Sequence, residues 1–177
     1  TEVAGVPELG AIGRGEDMEI TTYLESALTS ELQGNVVDLC PVGALTSKPF
    51  RYSARTWELT RRKSISPHCG LGSNLIVQVK QDRVMRVLPL ENEAINECWL
   101  ADKDRFSYDG LNSPERLTRP MIRRDGRWEE TEWSIALEEV VRGLKRVREA
   151  HGAQAIGALA TPHSTFEELY LLGRLMR

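Results

Sequence analysis

The sequence predicts an α+β chain in three parts: a glycine-rich segment of short strands, a small β-rich segment, and the start of a parallel α/β domain. Three observations predict it. Gly5, Gly10, Gly13, Gly15 and Gly34 break Thr1 to Asp38 into short pieces. Two Val- and Ile-rich runs, Asn74 to Val79 and Arg83 to Leu88, flank Gln81-Asp82 and read as a hairpin. Trp133, Leu137, Val140, Leu144 and Val147 then recur at spacings of four and three, ahead of an apolar run from Ala155 to Ala160.

Composition sets the outer bounds. The 177 residues are 41% hydrophobic and 28% charged, ordinary globular values, so global disorder is excluded. A net charge of -3 leaves no basic excess with which to bind nucleic acid or an anionic membrane through charge alone. Apolar runs such as Leu75-Ile76-Val77 fall far short of the ~20 residues that cross a bilayer, so no direct membrane span is expected. Cys40, Cys69 and Cys98 are three single cysteines with no Cys-x-x-Cys between them, which excludes a self-contained four-cysteine metal site and favours a reducing compartment. Thr1-Glu2-Val3-Ala4-Gly5 resembles neither a translation start nor a signal peptide, and Leu171 to Arg177 breaks off within a helical pattern, so the chain reads as part of something longer.

Taken in order, the first segment should hold short strands and one helix around Thr22 to Glu31. Pro41, Gly43 and Pro49 leave room only for a helical turn or two over Val42 to Thr46. The 74–79/83–88 hairpin follows, then a helix over Asp102 to Tyr108, then a second hairpin of Met121-Ile122-Arg123 and Arg127-Trp128-Glu129 around the Asp125-Gly126 turn signal. The amphipathic helix after Trp133 has Thr131 as its expected N-cap and Gly152 as its stop. Ala155 to Ala160 suits a buried strand, and Ser164-Thr165-Phe166-Glu167 reads as a capping box that opens the next helix. Helix, buried strand, loop and helix in that order begin a parallel α/β domain.

Most apparent motifs carry no chemistry. Gly13-Arg14-Gly15 and Gly70-Leu71-Gly72 lack the third glycine of a dinucleotide fingerprint and read as turns; no phosphate loop occurs. His163-Ser164 has no third member for a hydrolase and reads as a loop histidine beside a capping serine. His151 falls at a helix end, where its charge favours the dipole, and His68 and Cys69 are neighbours that point to opposite faces of an extended segment.

Cys40 differs in its company, Asp38-Leu39-Cys40-Pro41-Val42-Gly43-Ala44-Leu45. A cysteine among apolar residues is ordinarily a small buried hydrophobe. The Cys-Pro step supports a second reading: the last thiolate of a ferredoxin-type cluster is commonly followed by proline, and small neighbours such as Gly43-Ala44 let backbone N–H groups approach the sulfurs. One thiolate cannot hold a cluster, so this reading needs three ligands upstream of Thr1.

Val36 to Phe50 with Arg55-Thr56-Trp57-Glu58-Leu59 closely resembles the large iron–sulfur subunit family, the G-type subunits, of the NADH:quinone oxidoreductases, respiratory complex I. So do Gly72-Ser73-Asn74, Arg83 to Pro89, Asn92 to Glu97, Asp104-Arg105-Phe106, Tyr108-Asp109-Gly110-Leu111 and Arg116 to Met121. The resemblance is specific from about Glu2 to Pro120 and looser to Arg177. It implies residues 1–60 as the C-terminal part of a ferredoxin-type 4Fe-4S domain, with Cys40 the fourth ligand after a Cys-x-x-Cys-x-x-Cys triplet that precedes Glu2. It implies 61–120 as a small molybdopterin-oxidoreductase-type domain and 121–177 as the start of a molybdopterin-oxidoreductase-like α/β domain. Laid on that small domain's own cluster motif, the four ligand positions fall on Ser66, Cys69, Ser73 and Ala101, so this cluster is expected to be lost. Cys98 lies out of register and is expected to be a buried thiol. Lys48, Arg51 and Arg55 follow Cys40 closely; each either folds back towards the cluster or is solvated.

The function so implied is electron relay from NADH and flavin through 4Fe-4S clusters towards quinone, in an NADH dehydrogenase subunit. No molybdopterin is expected. The implied partners are other subunits of the peripheral arm, with no nucleic acid. The implied location is peripheral, at the cytoplasmic face of the bacterial inner membrane or the mitochondrial matrix side. Two alternatives are a molybdopterin-dependent formate dehydrogenase-like oxidoreductase, which predicts an intact cysteine set around Cys69, and a metal-free scaffold module.

Overall fold

The structure, a computed structural model, describes residues 2–22 and 26–177. It divides into two compact units, Thr1–Asn112 and Ser113–Arg177. All strand pairing among the described residues is antiparallel.

In the first unit, β1 (Leu9–Ile12) pairs with β2 (Glu19–Thr22). Part of the expected helix over Thr22 to Glu31 lies outside the described residues; Ser26 to Ser30 is not helical. The Thr29 N–H donates to Glu8 and the Leu32 N–H to the Ser30 hydroxyl, and such side-chain acceptors compete with a helical ladder. The helix begins later, as α1 (Asn35–Leu39), and Cys40 closes it. The helical turn expected over Val42 to Thr46 is likewise absent: Pro41 has no N–H to donate and Gly43 takes φ +68°, so the chain leaves helical space.

A three-stranded sheet in the order β3-β4-β5 forms the centre of this unit. Its strands are β3 (Thr60–Ile65), β4 (Asn74–Lys80) and β5 (Arg83–Pro89). The β4-β5 hairpin lies where the Val and Ile runs put it; Gln81 and Asp82 both have positive φ, the geometry whose twist matches the flanking strands. Leu75 and Val87 pack with Leu100 and Tyr108 in a small core, with Val77 and Val84 against it. After β5 the Asn96 side chain closes the loop: its Oδ1 accepts from the Asn74 N–H at 2.9 Å and its amide donates to the Leu90 and Trp99 carbonyls. Two short helices follow, α2 (Asp102–Phe106) and α3 (Asp109–Asn112).

The second unit holds the hairpin β6 (Met121–Arg124) and β7 (Arg127–Glu130), α4 (Trp133–His151) and α5 (Phe166–Leu175). The hairpin turns on Asp125 and Gly126, both at positive φ. The N-cap of α4 is Glu132 rather than Thr131, whose N–H instead donates to the Pro120 carbonyl; Gly152 ends the helix at φ +84°. The capping box opening α5 sits one residue later than expected, with Thr165 and Glu168 bonding each other's backbone N–H. Ala155 to Ala160 forms no strand among the described residues: a strand needs a hydrogen-bonded neighbour, none pairs with it, and Leu159 is fully exposed.

Candidate metal centre

Cys40 is built from its own helix outward. Its N–H donates to the Val36 carbonyl at 3.2 Å as the last bond of α1, and its φ and ψ of -76° and 104° turn the chain out of the helix. Pro41 then fixes the next φ, and Gly43 supplies the left-handed residue that folds the following amides back. The backbone N–H groups that follow, of Leu45 most and of Ala44, Val42 and Gly43 less, favour the thiolate and hold the half-buried thiol below its usual range, against the opposing effect of burial. Amide donors around a thiolate are what an iron–sulfur ligand requires, because they spread its charge and favour the reduced state of what it binds.

The donor set is incomplete among the described residues, where no group of three or more His, Cys, Asp or Glu could hold a metal ion. The thiolate fits one corner of a cluster and supplies one ligand only. Neither Arg51 nor Arg55 turns to Cys40: Arg51 donates from Nε and Nη2 to the Thr46 hydroxyl at 3.0 and 2.8 Å, and the Arg55 guanidinium lies 6.0 Å from the Trp57 ring centroid.

What anchors α1 lies far along the chain. The Gly34 N–H donates to Asp102 Oδ1 at 2.8 Å, and the Asp102 N–H to the Glu31 carbonyl at 2.8 Å. Buried Asn35 pairs with the Leu100 backbone in both directions, accepting from its N–H at 3.0 Å and donating to its carbonyl at 2.9 Å. Arg105 reaches Asn35 Oδ1 at 3.0 Å and Asp38 Oδ2 at 2.6 Å from one nitrogen, Nη2. Sequence reasoning missed Asn35, Asp38 and Arg105 as supports of Cys40; their only signal was that Asp38 and Asp104-Arg105-Phe106 lay within the resembling segments. Beside them a cavity of about 350 Å³ is lined in part by Asp38, Phe50, Arg86, Arg105 and Tyr108. The Arg86 guanidinium stacks 4.2 Å from the Phe50 ring centroid and bonds the buried Gln78 carbonyl oxygen; burial lowers its pKa, which Asp38 partly offsets.

Ser66, Cys69 and Ser73 come together in the turn between β3 and β4, and Ala101 caps α2. Cys69 Sγ lies 3.2 Å from the Ser73 hydroxyl, and the Ser66 N–H donates to the Ser73 carbonyl at 2.9 Å. Burial is the largest influence on the Cys69 thiol and raises its pKa, but the Ser73 hydroxyl and the amides of Ser73, Leu71 and Gly72 together outweigh it and lower it. Asp104, on the helix that Ala101 begins, accepts a 2.5 Å hydrogen bond from the buried Ser66 hydroxyl. Cys98 is exposed, not buried as expected, because Glu97 turns the chain at φ +48° while Asn96 takes the inward place.

Residues 1–46 match the model of the NADH-quinone oxidoreductase subunit 3 ferredoxin-like domain, and 59–109 the NADH-ubiquinone oxidoreductase NDSU1/NuoG-like 4Fe-4S domain. Residues 116–177 match the molybdopterin oxidoreductase model. The whole chain is 48% identical to the NADH-quinone oxidoreductase G-subunit of Rickettsia conorii, covering 26% of that protein. Over 81% of the chain it is 54% identical to the mitochondrial NADH-ubiquinone oxidoreductase 78 kDa subunit of Neurospora crassa, covering 19% of it. Over 85% it is 47% identical to the NADH-ubiquinone oxidoreductase 75 kDa subunit of Reclinomonas americana, covering 22% of it. The chain belongs to the family of NADH-quinone oxidoreductase G-subunits, and spans about a quarter of the length of the curated relatives it matches.

Proposed function

We propose that this chain is an electron-relaying part of an NADH:quinone oxidoreductase, with the Cys40 thiolate as the fourth ligand of a 4Fe-4S cluster whose other three ligands precede Thr1. The observation that carries this reading is the loop at the end of α1, where Cys40 is followed by Pro41 and by Gly43 at φ +68°, so that the backbone N–H groups of Val42 to Leu45 favour its thiolate. A bound cluster supplies one-electron transfer between reduced flavin and quinone. The residues of this chain do the rest: Cys40 binds iron, Pro41 and Gly43 hold the loop that aims the amides, and the amides stabilise the added negative charge. No side chain here is assigned an acid, base or nucleophilic role, since no bond of a substrate changes at the site.

In this reading 1–60 is the C-terminal part of the ferredoxin-type domain, 61–120 is a domain that has lost its cluster, and 121–177 begins an α/β scaffold without molybdopterin. Hydroxyls at Ser66 and Ser73, and Ala101 at the fourth position, disfavour the formate dehydrogenase-like alternative. Other peripheral-arm subunits are the partners, at the cytoplasmic face of a bacterial inner membrane or the matrix side of a mitochondrial one. Among the described residues no helix is long and apolar enough to cross a membrane.

The test is Cys40→Ala in the full-length protein within the assembled complex, read by electron paramagnetic resonance. One reduced-cluster signal is expected to disappear. Persistence of every signal would overturn the ligand assignment.

A further inference from the structure

We infer that Arg105 is a positioning residue for the Cys40 centre: its buried guanidinium, joined to Asn35 and Asp38, holds α1 in place and sets the charge behind the cysteine that ends it. This inference rests on the ligand reading of Cys40. Three observations carry it. Arg105 is only 5% exposed, yet it sits 67 residues from Asp38 in sequence and contacts it at 2.6 Å. One nitrogen, Nη2, serves both Asn35 Oδ1 and Asp38 Oδ2, so a single side chain grips both ends of a five-residue helix. Such a helix has no stability of its own and takes its position from what it is bonded to.

The third observation is a backbone fitted to the arginine. A Cβ at Gly34 would lie 2.7 Å from both Arg105 Cδ and Nε, so only glycine leaves room for the guanidinium beside the start of α1. Arg105 Nε is buried without a hydrogen-bond partner, a cost that folding retains. The charge is therefore held out of water against a carboxylate two residues from Cys40, where low dielectric strengthens its influence. Of the three cations that follow Cys40 in sequence, Arg51 bonds the Thr46 hydroxyl and Arg55 lies over the Trp57 ring.

Charge near a cluster moves its reduction potential, because the reduced form is the more negative. Arg105→Gln removes one positive charge and disfavours reduction; Asp38→Asn removes one negative charge and favours it. The experiment uses the assembled complex with Arg105→Gln, Asp38→Asn and the double variant. It reads the midpoint potential and resonance line shape of the one cluster signal that Cys40→Ala abolishes. The expected result is a shift to more negative potential in Arg105→Gln, the opposite shift in Asp38→Asn, and return towards the parent value in the double variant. A lowered melting temperature with that cluster's potential and line shape unchanged would make Arg105 a stability residue only and overturn the inference. Where Arg105→Gln fails to assemble, Asp38→Asn decides alone: a positive shift supports the inference and an unmoved potential overturns it. Failure of the ligand reading is separate, since Cys40→Ala would then abolish no signal.

Discussion

Cys69 shows how little separates a metal ligand from an ordinary thiol at the scale of one residue. Its sulfur keeps hydroxyl and amide donors that favour the thiolate, with Ser73 the strongest of them. The thiolate is the nucleophile, so at pH 8 Cys69 should alkylate faster than a free cysteine, and Ser73→Ala should raise its pKa and slow it. The rate against pH of iodoacetamide labelling, followed at Cys69 by mass spectrometry, checks this; a midpoint unmoved by Ser73→Ala would show that the hydroxyl contributes nothing. Leu100 makes the complementary case for packing. It is 1% exposed among Leu75, Val87 and Tyr108, so Leu100→Ala should cost about 2–5 kcal/mol in denaturant unfolding, with the slope unchanged. The loop after Cys40 was legible in the sequence because Pro41 and Gly43 decide it locally. Arg105 was not, because its partners are Asn35 and Asp38, and no periodicity or spacing links residues that meet only through the fold.

Elements were legible in proportion to how far local chemistry decides them. The turns at Gln81-Asp82 and Asp125-Gly126 were read correctly, since the residues that favour positive φ are the same ones that fix the strand register. Helix α4 was found from its apolar spacing, and only its first cap was misplaced, by one residue. Helix α1 went unseen for a physical reason: at five residues it shows no periodicity, and its stability is borrowed from Leu100 and Arg105. Asn35 is the point of attachment. Asn35→Ala would leave the Leu100 N–H and carbonyl buried without those partners, at a cost of about 1–3 kcal/mol for each such group. Amide exchange in the full-length protein should therefore quicken over Val36 to Cys40 while the amides of β4 remain protected. Uniform loss of protection would mean that α1 and the sheet open together.

At the scale of the whole chain the two units differ in what could hold each together. The first contains the entire buried cluster of Leu75, Val87, Leu100 and Tyr108, and its early and late segments are tied by Gly34, Asn35 and Asp38 on one side and Leu100, Asp102 and Arg105 on the other. In the second, from Ser113 onward, no residue is buried; Trp133, Leu137 and Val140 on the apolar face of α4 are exposed by 56% or more. An amphipathic helix with its stripe in water keeps helical propensity but gains little from tertiary packing, so it melts gradually. A protein ended after Asn112 should accordingly retain a sharp thermal transition, because the truncation removes nothing from that core. A protein of residues 113–177 should show helical circular dichroism that declines smoothly with temperature, without a cooperative step. The smaller piece is the discriminating one: a steep, two-state melt from it would require a buried core within those residues, and would refute the account of α4 as a helix whose apolar stripe finds no cover within residues 113–177.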